Sequence, residues 1–150
     1  MKTPERTWNS TDRAFLRQAI KVAERSRGLC SPNPFVGAIV VKHGKVVSEG
    51  NTQPYGHDHA EKAALKRAGA QARGATMYVT LEPCCHYGKT PPCTQSIIAA
   101  GIKRVVAGLA DPNPLVAGKG FQELESAGIE VLYGGFESII RQQIEYHTCY

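Results

Sequence analysis

Thr76-Met77-Tyr78-Val79-Thr80-Leu81-Glu82-Pro83-Cys84 is the stretch on which the fold turns. Thr76 to Leu81 is rich in β-branched and aromatic residues and predicts a strand, and Glu82-Pro83-Cys84 ends it abruptly. A Gly- and Pro-rich stretch then leads to Cys93, after which Thr94 to Ala100 predicts a short helix stopped by Gly101. Arg104 to Leu109 reads as the next buried strand. Strands joined through a helix imply a crossover and a parallel pair, which places this segment in an α/β protein.

The same rhythm continues outward in both directions. Downstream, Phe121 to Ala127 predicts a helix closed by Gly128, Ile129 to Leu132 a last strand, and Glu137 to Tyr146 a terminal helix. Upstream, Ser10 to Arg27 offers cap candidates in Ser10, Thr11 and Asp12, a periodic apolar set that includes Phe15, Leu16, Ala19 and Ala23, and a stop at Gly28. Ser31-Pro32-Asn33-Pro34 predicts a rigid loop. Val36 to Lys42 and Lys45 to Glu49 then flank His43-Gly44 as a hairpin. Gly50 to Asp58 reads as a loop, and His59 to Ala68 as a helix ended by Gly69. The expectation is a three-layer α/β/α sandwich with a five-stranded mixed sheet, the first two strands antiparallel and the rest parallel. Its ligand site falls at the carboxyl ends of the strands.

The residues that carry chemistry are His59, Glu61, Cys84 and Cys93. One neutral imidazole and two thiolates fill three tetrahedral positions on zinc and leave a fourth for water, as a catalytic site requires. Two thiolates cancel the charge of the dication, so the water is acidified less than by three imidazoles, and a nearby base becomes useful. Glu61 suits that role. Two residues after His59, on the first turn of a helix, it projects into the same cavity without joining the coordination shell. Both thiolates lie at or near a helix N-terminus, where the dipole favours negative charge. The alternatives are a structural zinc site or ordinary buried thiols, since His-x-Glu alone is common. Cys85 is a competing thiol, but adjacent residues seldom both point at one ion, so ligation is assigned to Cys84. The order His, Glu, Pro-Cys, Cys resembles that of the zinc-dependent base deaminases, in which the metal activates a water and the glutamate moves protons.

Composition sets the frame for that chemistry. A chain of 150 residues with 42% hydrophobic content can bury one good core, and we expect a single domain over residues 1–150. The polar opening run and the lack of any long apolar stretch argue against a membrane, and cytoplasm is the expected compartment. Five cysteines, an odd number that includes a reduced ligand pair, argue against a disulfide scaffold. The net charge of +5 is spread over the first helix and several loops without a dense basic run or aromatic array. Such a distribution suits a phosphate-bearing small substrate or a merely solvated surface better than a nucleic-acid partner.

A longer constellation makes the resemblance specific. Ser31-Pro32-Asn33-Pro34 with Val36-Gly37, His59-Ala60-Glu61, the run from Thr80 to Cys93, Asp111-Pro112-Asn113-Pro114 and Gly118-Lys119-Gly120 together resemble the pyrimidine deaminases of riboflavin biosynthesis. The long loop between Cys84 and Cys93 separates this pattern from the cytidine and tRNA deaminases, whose two cysteines lie close together. The resemblance implies a cytidine-deaminase-like fold and hydrolytic removal of an amino group from a diaminopyrimidinone carrying a ribosylamino phosphate. By carry-over, His59, Cys84 and Cys93 hold Zn2+ and Glu61 shuttles protons. Asn33 and His86 face the base, while Lys89, Thr90, Asp111 and Asn113 meet the ribose phosphate. Lys with Thr suits a phosphate and Asp with Asn suits sugar hydroxyls, although Asn33 and Asn113 also suit their Pro-flanked turns.

The chain departs from that family's pattern as well. Thr52 and Ala63 stand where the family commonly has histidines, and Cys85 where it has Ser. Losing two imidazoles near the substrate can alter discrimination strongly. The bifunctional members continue into a reductase domain; here the expectation is a deaminase alone, with a separate reductase acting next. Two other classes stay open: a nucleic-acid base deaminase, disfavoured by the long cysteine loop, and a non-enzymatic zinc module, disfavoured by Glu61. Related deaminases self-associate, and Ile and Val runs on the outer helices suggest a homo-oligomer.

Overall fold

His43 and Gly44 both adopt positive φ, 53° and 74°, the geometry of the two-residue turn that joins twisted antiparallel strands most easily. The computed structural model describes residues 10–26, 36–52, 59–84, 92–109 and 117–133. Within them the elements run α1 (Ser10–Ala23), β1 (Gly37–Lys42), β2 (Lys45–Asn51), α2 (Ala60–Ala68), β3 (Thr76–Val79), α3 (Cys93–Ala100), β4 (Arg104–Ala107), α4 (Lys119–Ser126) and β5 (Glu130–Tyr133). The five strands form one sheet in the order β2-β1-β3-β4-β5. β1 is antiparallel to both β2 and β3, and β3, β4 and β5 are parallel to one another. This is the mixed sheet expected from the sequence.

Period-two alternation sorts the strand residues onto two faces. Ala38, Val40, Met77, Val79, Val105, Ala107 and Val131 pack with α2, α3 and α4 around the fully buried Phe121 and Ile97. Ile39, Val41, Tyr78, Val106 and Leu132 face Leu16, Ala19 and Val22 of α1. Three layers result. Asp12 is 1% exposed among the apolar residues beneath α1. Its carboxylate accepts two hydrogen bonds from the Arg104 guanidinium at 2.8 and 2.7 Å and a third from the Tyr78 hydroxyl at 2.7 Å. A buried carboxylate survives only with such partners.

The element ends differ from expectation in instructive ways. α1 stops at Ala23 and tightens into a 3₁₀ turn, Glu24–Ser26, rather than running on to Arg27. β3 ends at Val79 because Thr80 leaves the regular ladder while still holding Gly37: its N–H donates to the Gly37 carbonyl, and its hydroxyl accepts from the Gly37 N–H. β2 reaches Asn51, so Gly50 is a strand residue and not part of a loop. A Cβ at Gly50 would lie 2.4 Å from the Ala60 carbonyl oxygen, so glycine is what lets α2 rest directly on β2. The Ser31–Pro34 loop and the helix expected over Glu137 to Tyr146 lie outside the described residues. Among the described residues no helix is long and apolar enough to cross a membrane.

Candidate metal centre

β2 ends at Asn51, β3 at Val79, and α2 and α3 begin at Ala60 and Cys93, so the sheet delivers His59, Cys84 and Cys93 to one end of its strands. His59 caps α2 with extended backbone, φ −71° and ψ 163°, and its carbonyl accepts the N–H of Ala63 as the first helical bond. Cys93 is the first residue of α3, one earlier than the sequence suggested, with Pro92 as its cap. Cys84 follows β3 and points back at α3, its sulfur accepting the Cys93 N–H at 3.3 Å. Two helix N-termini therefore converge on the cluster and favour anionic sulfur there.

The Nδ1 atom of His59 lies 3.3 Å from the Cys93 sulfur and 3.8 Å from the Cys84 sulfur, and the three ligand atoms all lie within 4.8 Å of one another. A tetrahedral zinc with Zn–S near 2.3 Å and Zn–N near 2.05 Å requires edges of about 3.6 Å between nitrogen and sulfur and about 3.8 Å between sulfurs. The donor set fits one ion in both chemistry and span. His59 is exposed, Cys84 half-buried and Cys93 buried, so the cluster runs from solvent into the core.

Protons are shared unevenly among these groups. The hydrogen bond from Cys93, helped by His59, pulls Cys84 down to about 4, while Cys93, sharing a proton with Cys84 and buried, is pushed up. His59 is raised, chiefly by its hydrogen bond to Cys84. A metal takes these groups as thiolates and a neutral imidazole, so binding a dication there releases protons.

Glu61 lies on the first turn of α2 and is 5% exposed. Burial pushes its carboxyl up to about 7; the bond from its own N–H and the Cys93 thiol oppose that rise. The expected proximity of Glu61 to the ligand cluster is thus present. Of the other residues expected to bind substrate, Asn33, His86, Lys89, Thr90, Asp111 and Asn113 lie outside the described residues, as does Cys85.

The two departures from the family pattern are described. Thr52 is buried, its hydroxyl accepting the Val36 N–H at 2.7 Å while its own N–H donates to the Val36 carbonyl. Ala63 is buried in α2 beside Gly50.

Sequence reasoning passed over Glu82. Its carboxylate accepts the N–H groups of Gly118, Gly120 and Phe121 at 2.9, 2.8 and 3.3 Å, where α4 begins. The signal was present in Gly118-Lys119-Gly120, a glycine-bracketed turn opening a helix, which invites an anion.

Residues 9–109 match the family described as the cytidine and deoxycytidylate deaminase zinc-binding region. The riboflavin biosynthesis protein RibD of Aquifex aeolicus is 52% identical over 131 residues, covering 87% of this chain and 37% of that protein. RibD of Escherichia coli is 53% identical over 123 residues, covering 82% and 34%. The chain thus spans about a third of the length of these curated relatives. Among solved structures, RibD of Acinetobacter baumannii superposes with a TM-score of 0.88 at 47% identity, covering 92% of this chain and 39% of that one. The Rib2 deaminase of Aspergillus oryzae, a C-terminal deletion mutant, superposes with a TM-score of 0.76 at 30% identity, covering 93% and 94%. The same Rib2 deaminase has also been solved in complex with DARIPP. The chain belongs to the cytidine-deaminase-like family of zinc-dependent pyrimidine deaminases, with its riboflavin-biosynthesis members as relatives.

Proposed function

We propose that this chain deaminates a phosphorylated ribosylamino-diaminopyrimidinone hydrolytically, as a riboflavin-biosynthesis deaminase. The observation that carries the proposal is a buried carboxyl, Glu61, held near neutrality beside a cluster of one imidazole and two cysteines. His59, Cys84 and Cys93 would hold the zinc, which when bound supplies the Lewis acidity that makes water a nucleophile. Glu61 does the proton work. It accepts a proton from the attacking water, passes it to the ring nitrogen beside the attacked carbon, and later delivers one to the departing amine. The C–O bond forms first and makes the carbon tetrahedral; the C–N bond breaks in a second step as the proton of the new hydroxyl passes through Glu61 to the amine, leaving a ring carbonyl and ammonia with no redox change. A carboxyl poised near neutrality can both take and give a proton, which a fully solvated glutamate does poorly at the same pH. Asn33 and His86 would recognise the base and Lys89, Thr90, Asp111 and Asn113 the ribose phosphate. The reduced thiols suit a cytoplasmic setting, and a reductase would consume the product.

A second reading, a deaminase of a related aminopyrimidine, is favoured by Thr52 and Ala63. The Thr52 hydroxyl is engaged with Val36, and Ala63 has no polar atom to offer, so neither replaces an imidazole toward a substrate. Ammonia release by zinc-loaded protein decides between these readings. The phosphorylated diaminopyrimidinone is offered beside other aminopyrimidines, cytidine, adenosine and a tRNA anticodon stem. Turnover of the first alone is the expected outcome; turnover only of another compound would overturn the assignment.

A further inference from the structure

We propose that Glu82 is a positioning residue for the metal centre, acting through Cys84. Glu82 stands two residues before Cys84, and it is 6% exposed. Its main chain and side chain hold different parts of the molecule. The N–H donates to the Leu109 carbonyl at 2.8 Å beyond the end of β4, while the carboxylate takes the three N–H groups at the start of α4. Gly120 is pressed against the same segment: a Cβ there would meet the Pro83 carbonyl oxygen at 2.3 Å. Cys84 is held from its other side by α3, its carbonyl accepting the Thr94 N–H at 3.1 Å. The Glu82-Pro83-Cys84 segment is therefore gripped between α4 and α3, and the direction of the Cys84 sulfur follows from that grip.

Two consequences bear on the metal. The N-terminus of α4 is already occupied by a carboxylate of the chain itself, so the Gly118-Lys119-Gly120 turn serves as an anchor. The Glu82 carboxylate is likewise committed to the N–H groups of Gly118, Gly120 and Phe121, and the metal cluster gathers His59, Cys84 and Cys93 without it. Gln keeps an accepting oxygen but turns an NH2 toward N–H donors, so even this isosteric change breaks the grip.

The inference rests on reading His59, Cys84 and Cys93 as ligands, and the experiment separates the two. Zinc affinity by chelator competition and the absorption spectrum of the cobalt-substituted protein are measured for wild type, Glu82→Gln, Glu82→Ala and Asp12→Asn. The last is a destabilised control on the far face of the sheet. Zinc binding 10- to 100-fold weaker in both Glu82 variants, with a shifted cobalt band and an unaltered control, is expected. Wild-type affinity and spectrum in the Glu82 variants would overturn the inference. Wild-type protein that binds no zinc would instead refute the ligand reading. Should neither Glu82 variant fold, amide exchange in the wild type carries the test. Zinc is expected to slow Gly120 and Phe121 at least tenfold relative to the turn amides of Gly74 and Lys103 at the opposite end of the sheet. Equal slowing at both places overturns the role.

Discussion

Asp12 and Glu61 are both buried carboxylates in the first turn of a helix, one on each face of the sheet, and their surroundings differ in what they supply. Beneath α1, Asp12 meets a guanidinium and a hydroxyl, which place three hydrogen bonds on it at 2.7 to 2.8 Å, with Phe15 covering the Tyr78 ring at a centroid distance of 5.3 Å. At the head of α2, Glu61 meets its own N–H and the Cys93 thiol, and burial outweighs them. A charge matched by a full set of donors stabilises the place where it sits; a charge denied that set is ready to give up its ionisation. The first arrangement ties α1 to the sheet, and the second suits proton transfer.

Glu61→Gln breaks the comparison most sharply. The amide keeps size and burial but cannot carry a proton back and forth, so deamination should fall by about 10²- to 10⁴-fold. Zinc content measured on the same protein should stay at the wild-type level, because Glu61 is no ligand in this reading. Activity within a few-fold of wild type would remove Glu61 from the chemistry.

Asp12→Asn attacks the other face. It leaves the Arg104 guanidinium facing a neutral group in a site where the carboxylate side chain is 2% exposed and the guanidinium 20%. Breaking one partner of a buried pair costs about 3–5 kcal/mol, and the lower end applies because Arg104 reaches solvent and also lies 3.6 Å from Glu130. Urea unfolding checks the loss. Zinc affinity is the discriminating readout, since an unaltered value would show that the two faces can be perturbed separately.

Much of this layout was legible beforehand, for reasons that differ by element. The strand runs Val36 to Lys42 and Lys45 to Glu49 and the His43-Gly44 turn between them are local signals, and the structure follows them. The cluster of His59, Cys84 and Cys93 was legible because metal chemistry limits residue type and because a strand followed by a helix brings separated ligands to one end of the sheet. What the sequence hid is long-range pairing. Nothing local links Asp12 to Arg104, or Glu82 to Gly118, and an acidic residue near a helix start reads equally well as a solvated cap. Gly50 likewise read as a loop glycine, because its reason is the carbonyl of Ala60 across the layer.

The smallest test removes one donor from Asp12 and leaves the ion pair intact. Tyr78→Phe deletes a buried hydroxyl whose proton is held well above the usual phenol range, first by burial and then by its hydrogen bond to Asp12. The loss near pH 7 should be about 1 kcal/mol, as for a single net hydrogen bond. The sign of the pH dependence follows from the direction of that shift. A phenol that ionises with more difficulty in the folded state binds more protons there than in the unfolded chain once pH passes about 10. Its contribution is therefore complete below that pH and is lost as pH rises toward the folded value. Wild-type stability measured by urea at pH 8, 10 and 11 should fall more steeply than that of Tyr78→Phe, and the gap between them should narrow at the alkaline end. A gap constant with pH would mean that the Tyr78 hydroxyl does not share its proton with Asp12, and that the buried carboxylate is held without it.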